Sequence, residues 1–223
     1  MVTIEAATAT DLRQTSELHR RYLSSGIFPR MGLRFLSRYH ETFVASPGGV
    51  ALSARHDGEF VGFLLGTVDN AAHYRWVVNE RGMVLARSGV AALLLRPHVA
   101  WSFATTRLGR YLRGLRRLSR PDRMHEPRSV EGGPGGGPQL AILTHVATAD
   151  GARQRGVGRQ LVEAFLVRAR ACGAEEARLI TASDGPAVAF YAGLGWESVA
   201  DRHARDGGEV REYRMVLSEV ETT

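Results

Sequence analysis

Residues Val2 to Ala6 alternate in polarity and predict a short strand. Thr8-Ala-Thr-Asp11 has the form of a capping box, and Leu12, Leu18 and Tyr22 support a helix behind it. Gly26 and Pro29 break the chain. Leu33, Leu36, His40 and Phe43 recur at helical spacing, which predicts a second helix to about Val44. Ser46-Pro-Gly-Gly49 is a turn. Val50 to Arg55 and Glu59 to Val68 then form a hairpin across His56-Asp57-Gly58, because Asp-Gly suits a tight turn.

Residues 71–120 have mixed, helical character. At about 100° per residue, Leu108, Tyr111, Leu112, Leu115 and Leu118 share one arc, and Arg107, Arg110, Arg113, Arg116, Arg117 and Arg120 fill the rest of the circle. Such a pattern fits a surface helix with a solvated basic face, a membrane-surface helix or a clamp for an anionic substrate. Pro121 to Pro138 includes Glu131-Gly-Gly-Pro-Gly-Gly-Gly-Pro138, which has few side chains to pack, so a mobile linker is expected there.

The pattern sharpens after the linker. Leu140 to Ala147 is an apolar run of strand length. Gln154 to Ala171 predicts a helix through Val157, Leu161, Phe165 and Ala169, with Gly173 placed to end it. Ala177 to Thr181 is a strand, Pro186 to Leu194 a short helix, and Trp196 to Ala200 and Val210 to Leu217 two closing strands around a polar loop at 201–208. Alternating strands and helices predict an α/β sandwich.

Composition narrows the class. The 223 residues are 44% hydrophobic and 23% charged, ordinary for a globular protein and enough for one sizeable domain. No apolar run approaches the roughly 20 residues of a membrane-spanning helix, and the first residues lack the basic-then-apolar form of a signal peptide; a cytoplasmic protein is expected. Cys172 is the single cysteine, which excludes an internal disulfide framework and a cysteine metal cluster, and no metal site is expected. Net charge is +6, and all 29 residues counted as Lys+Arg are arginine. A GC-rich coding genome accounts for this usage; arginine also grips phosphate and carboxylate in a bidentate fork. Charge alone does not choose between an anionic cofactor, an anionic acceptor, nucleic acid or a membrane face.

Two motifs carry chemistry. Arg153-Gln-Arg-Gly156-Val-Gly158 follows a strand and opens a helix, where unpaired N–H groups and the positive end of the helix dipole attract phosphate. A P-loop would need Lys and Ser or Thr after the last glycine, but Gly158 is followed by Arg159-Gln160; the dinucleotide fingerprint would need a third glycine and an acid ending the next strand. The second motif is Asp184-Gly-Pro-Ala187-Val-Ala-Phe190-Tyr191-Ala-Gly-Leu194-Gly195-Trp196.

Together, in this order and with one helix and one strand between them, the two motifs resemble the GNAT superfamily of acetyl-coenzyme A-dependent N-acetyltransferases. The resemblance runs from about Leu140 to Leu217 and implies an α/β (α+β) fold, with a mixed, mostly antiparallel sheet flanked by helices. One domain over 1–223 is then expected, with an arginine-rich helical insertion at 71–120, the linker at 121–138 and an acetyl-coenzyme A-binding half at 139–218. The resemblance implies that the pantetheine arm pairs with the backbone of Val146, Ala147 and Thr148. It implies that Arg153, Gln154, Arg155, Gly156, Val157, Gly158 and Arg159 hold the pyrophosphate. Ala187 falls in the second cofactor motif, and Asp184 stands where the family usually has a cofactor-contacting Asn. An ionised Asp cannot donate the hydrogen bond an Asn would. Tyr191 matches the tyrosine beside the cofactor sulfur and is the expected general acid.

No general base is legible. By register Ile142 and Thr144 face the acceptor, and His145, one residue off, faces the other way unless a bulge intervenes. His40, Glu41, His73 and His203 are distant candidates. Deprotonating a lysine-like amine of pKa about 10.4 at pH 7 costs about 4.6 kcal/mol, against about 1.4 kcal/mol for an amine of pKa near 8. A low-pKa amine is therefore expected, on a small molecule such as an amino sugar or secondary metabolite. The Gly26–Arg30 loop, the 71–120 segment and the 201–208 loop would contact it, and the segment's arginines would suit an anionic one. The alternatives are a peptide or protein N-terminal acetyltransferase and a non-catalytic module that binds acyl-coenzyme A or a polyanion. The expected protein is bacterial, a monomer or homodimer, binds no nucleic acid, and has a candidate peripheral membrane contact through 107–120.

Overall fold

The computed structural model describes residues 1–24, 26–103, 139–203 and 208–217. The amphipathic arginine pattern at 107–120 and the expected linker at 121–138 lie outside the described residues.

Seven strands form one sheet: β1 (Val2–Ala6), β2 (Gly49–His56), β3 (Glu59–Thr67), β4 (Leu140–Thr148), β5 (Glu176–Ala182), β6 (Glu197–His203) and β7 (Glu209–Val216). Their order is β1-β2-β3-β4-β5-β7-β6, and every pair is antiparallel except β4–β5. The expected mixed sheet flanked by helices is present.

Local chemistry explains the N-terminal half. Asp11 Oδ2 accepts from Thr8 N at 2.8 Å and from Thr8 Oγ1 at 3.1 Å, which starts α1 (Leu12–Tyr22). α2 (Leu33–Ala45) follows a short 3-10 turn at Pro29–Met31. Asp57 and Gly58 close the β2–β3 hairpin with φ of 50° and 85°, the paired left-handed residues of a type I′ turn.

Helix α6 (Val157–Ala171) covers one face of the sheet, where Leu161, Phe165 and Ala169 pack on Leu52, Leu64, Leu143 and Leu179. Helices α1 and α2 cover the other face through Leu18, Tyr39 and Phe43, against Phe63, Leu65 and Ala147. Between β3 and β4 the described residues form α3 (Asn70–Trp76), a π turn (Val77–Arg81), α4 (Gly82–Leu94) and α5 (Pro97–Phe103). Ile27, Met31, Phe35, Ala92 and Val99 form a separate small core that ties α4 and α5 to α2. The short helix α7 (Ala187–Ala192) precedes β6.

Strand β4 departs from simple alternation. Leu65 pairs with His145 but Gly66 pairs with Leu143, so Thr144 is an extra residue, a β-bulge. Ala141 and Leu143 face the α6 core, and beyond the bulge Val146 does so as well. His145 and Ala147 are thereby turned onto the face carrying α1 and α2. Gly66 is required opposite this bulge, because a Cβ there would stand 2.6 Å from Phe165 Cε2 and 2.7 Å from Ile142 O.

The C-terminal boundaries shift slightly. Trp196 precedes β6 instead of opening it, and β6 runs on to His203, so the expected 201–208 loop is shorter than its polarity implies. Its residues 204–207 lie outside the described residues.

Candidate active site

The site begins where two strands part. β4 and β5 pair in parallel only through Leu140–Glu176, Ala141–Ala177 and Ile142–Arg178. β3 continues along the other edge of β4 as far as Gly62–Thr148. The β5-side edge of β4 beyond Ile142 therefore has no strand partner among the described residues. Val146, Ala147 and Thr148, the expected pantetheine contacts, lie on this stretch. An unpaired strand edge is a template for an extended ligand that carries amides.

The glycine motif follows a 3-10 turn at Asp150–Ala152. The helix was expected to open at Gln154 but opens at Val157. Gln154 and Gly156 both adopt left-handed backbone, with φ of 59° and 77°, and such residues cannot continue a right-handed helix. The first helical hydrogen bond runs from Gln160 N to Gly156 O at 3.0 Å. The N–H groups from Gly156 to Arg159 thus lack intrahelical acceptors and sit at the positive end of α6. Arg153, Gln154, Arg155, Gly156 and Arg159 are exposed, Gly158 is half-buried and Val157 is buried in the core beneath. A Cβ built at Gly156 meets nothing within 4 Å, which leaves open space over the cradle.

The two motifs meet in space. A Cβ at Gly158 would lie 3.4 Å from Phe190 Cζ and 3.9 Å from Thr148 Cγ2. Arg159 Nη2 donates to Gly193 O at 3.4 Å. The end of β4, the start of α6 and the aromatic pair on α7 converge, while Asp184 lies on an exposed turn and Ala187 is half-buried at the head of α7. Tyr191 is buried, with ring centroids 5.9 Å from Trp196 and 6.0 Å from Tyr213. Burial raises its pKa well above that of a free phenol, so it is protonated at neutral pH.

Two clusters were not visible in the sequence. In the first, Tyr22 Oη donates to Asp150 Oδ2 at 2.8 Å and accepts from Asp150 N at 3.2 Å. Arg21 and Arg153 pair with the same carboxylate at 3.1 and 3.2 Å, and the Arg153 guanidinium lies 4.6 Å from the Tyr22 ring centroid. The end of α1 thereby holds the turn that leads into the glycine motif and sets the first arginine of that motif. The partners stand well over a hundred residues apart, so no local signal could have revealed them.

In the second cluster, His145 Nε2 lies 3.2 Å from Tyr39 Oη. The His145 ring stands 4.5 Å from that of His19, His19 Nδ1 lies 2.9 Å from His40 Nε2, and His40 Nδ1 lies 2.9 Å from Thr15 Oγ1. Desolvation lowers His19 to about 4 and, with help from the neighbouring His19, lowers His145 to about 3; it also holds His40 well below its usual value. His40, named in the sequence as a distant base candidate, is fully enclosed in this chain of rings. His73 is buried against Phe43, Glu41 pairs with Arg81 at 3.2 Å, and His203 is exposed at the end of β6. The structure does not bring these three together with Tyr191 in any contact among the described residues. Those residues hold no group of three or more His, Cys, Asp or Glu placed to bind a metal ion.

The architecture is that of the GNAT acetyltransferases. The ribosomal-protein-S18-alanine N-acetyltransferase of Escherichia coli superposes with a TM-score of 0.57 at 13% identity, covering 100% of this chain and 98% of that one. NAA60 of Arabidopsis thaliana, solved in complex with acetyl-CoA, gives 0.58 at 13% identity over 97% and 98% of the two chains. An N-acetyltransferase of Staphylococcus aureus Mu50 gives 0.58 at 10% identity over 98% and 99%. No curated protein sequence matches the chain. Residues 137–217 match the family model of the acetyltransferase (GNAT) domain, the stretch that holds both motifs. Residues 137–217 are thus similar to a GNAT acetyltransferase domain, and the chain shares its fold with GNAT acetyltransferases.

Proposed function

We propose that the protein transfers the acetyl group of acetyl-coenzyme A to a primary amine of low pKa on a small molecule, such as an amino sugar or secondary metabolite. The observation that carries this is the convergence of Thr148, Gly158 and Phe190 at the unpaired edge of β4, with Tyr191 directly behind Phe190.

The residues fit the cofactor. The left-handed turn at Gly156 presents the N–H groups of Gly156 to Arg159 for a pyrophosphate, and Arg153 and Arg159 add charge at its rim. Val146 to Thr148 offer backbone groups to an extended amide arm. Asp184 accepts but cannot donate when ionised, so the cofactor contact expected of an Asn there is not assigned to it. When bound, acetyl-coenzyme A supplies an activated thioester carbonyl for an attacking amine. Tyr191 holds a phenolic proton through neutral pH and is the donor that the leaving thiolate requires.

Proton removal supports the acceptor class. The bulge brings His145 to the face of α1 and α2, yet its pKa near 3 makes it a weak acceptor. Taking a proton from a lysine-like ammonium onto such an imidazole would be steeply uphill. An amine that is already partly neutral, losing its proton through water, avoids that cost.

The test is thiol release from acetyl-coenzyme A against amino sugars, aminoglycosides, polyamines, amino acids and short peptides, beside calorimetry of cofactor binding. Turnover with small amines of pKa near 8, well above that with lysine side chains, is expected. Preferred turnover of lysine side chains would overturn the acceptor class, preferred turnover of peptide N-termini would reassign it, and silence with every acceptor together with no cofactor binding would overturn the activity.

A further inference from the structure

Helix α4 carries large apolar side chains on its outward side as well as its inward one. Its inward side packs on Met31 and Phe35: Ala92 is buried, Leu93 is half-buried against the same core, and a Cβ at Gly89 would lie 3.4 Å from Met31 Cε and 3.7 Å from Phe35 Cε2. Its outward side is bulky and apolar. Met83, Val90 and Leu94 are 68%, 57% and 79% exposed. At about 100° per residue these three fall within an arc of about 40°, with exposed Arg87 on its edge. Leu95, next in the chain, is 78% exposed. A helix packed on a globular domain normally turns polar residues outward. Large apolar side chains gathered on one outward face mark an interaction site.

Charge selects the occupant. Between Arg81 and Phe103 the described residues include no carboxylate; Arg81 pairs with Glu41 at 3.2 Å, which leaves exposed Arg87 as the charge bordering the apolar face. A second copy of the chain, with its net charge of +6, would bring like charges together over this face. An anionic lipid surface offers both complements at once, acyl chains for the apolar side chains and phosphates for the guanidinium groups. No helix among the described residues is long and apolar enough to cross a membrane, so contact would be interfacial.

We propose that the outward face of α4 docks the protein on an anionic membrane surface, with Met83, Val90 and Leu94 entering the acyl boundary and Arg87 at headgroup level. None of these residues lies at the β4 edge or the glycine motif.

The experiment is co-sedimentation of the full chain with vesicles of phosphatidylcholine alone and of phosphatidylcholine mixed equally with phosphatidylglycerol, at physiological salt. Partitioning at least tenfold stronger onto the anionic vesicles is expected. The double variant Val90→Glu/Leu94→Glu alters only exposed positions; it should keep the wild-type melting temperature and lose at least tenfold in partitioning. Arg87→Gln should reduce partitioning and leave its dependence on Val90 and Leu94 intact. Three results would overturn the proposal: wild-type protein without preference for anionic vesicles, undiminished binding by the double variant, or a wild-type dimer in light scattering that the double variant splits into monomers. The last would assign the face to a second copy.

Discussion

Tyr191 and Gly156 allow the most direct tests at the scale of single residues. Tyr191→Phe keeps the ring contacts with Trp196 and Tyr213 and removes only the hydroxyl. Turnover should fall by about 10²-fold or more, the usual contribution of a positioned acid, while calorimetric affinity for acetyl-coenzyme A stays within about twofold. Unchanged turnover would remove the acid role. Gly156→Ala adds a methyl group into open space but places it on left-handed backbone. It should cost about 1 kcal/mol or somewhat more in stability, read by thermal or denaturant unfolding, and also weaken cofactor binding as the cradle relaxes. Loss of stability with unchanged affinity would separate the turn from the cofactor. Both positions were legible in the sequence because their chemistry is local. The Tyr22–Asp150 clasp was not, because helix α1 and the turn at Asp150 meet only through the tertiary fold.

The elements divide along the same physical line. The capping box at Thr8 and Asp11, the Asp57-Gly58 hairpin and the period of α6 are short-range devices, and each was readable in place. The bulge in β4 is a mismatch between two strands whose pairing is set by the whole sheet. Simple alternation turns His145 away from the acceptor side, and the bulge, which no local pattern announces, reverses it. The opening of α6 moved three residues because two left-handed residues precede it, and a left-handed Gln154 has no strong sequence signature. The histidines enclosed between α1, α2 and β4 carry a prediction of their own. His19, His40 and His145 are neutral in the fold, with pKa values lowered from an unfolded value near 6.5 to about 4 for His19 and about 3 for His145. Below about pH 6.5 the unfolded chain binds more protons than the folded one. Stability is therefore fully present above that pH and falls as pH drops toward 4, by up to about 1.4 kcal/mol per pH unit for each histidine. Denaturant melts between pH 7.5 and 4.5 should show the loss, and His19→Gln should make the slope shallower. A flat profile would mean that the rings protonate in place.

For the molecule as a whole, the central sheet has an uneven grain. β1 to β4 are bonded continuously, as are β5, β7 and β6, and three residue pairs join the two groups. Seen as a mechanical object, the free enzyme is two plates sharing a short seam, and a ligand lying along β4 would lengthen that seam. Loading should then act as a splint. Amides of Leu143 to Thr148 that point toward β5 should exchange with deuterium rapidly in the free protein and slow markedly with acetyl-coenzyme A, while those directed at β3 stay protected throughout. Equal slowing across the whole sheet would instead mean that the ligand tightens the fold without bridging it. The gap proposed to admit the cofactor would thus also be the plane along which the unliganded protein yields first.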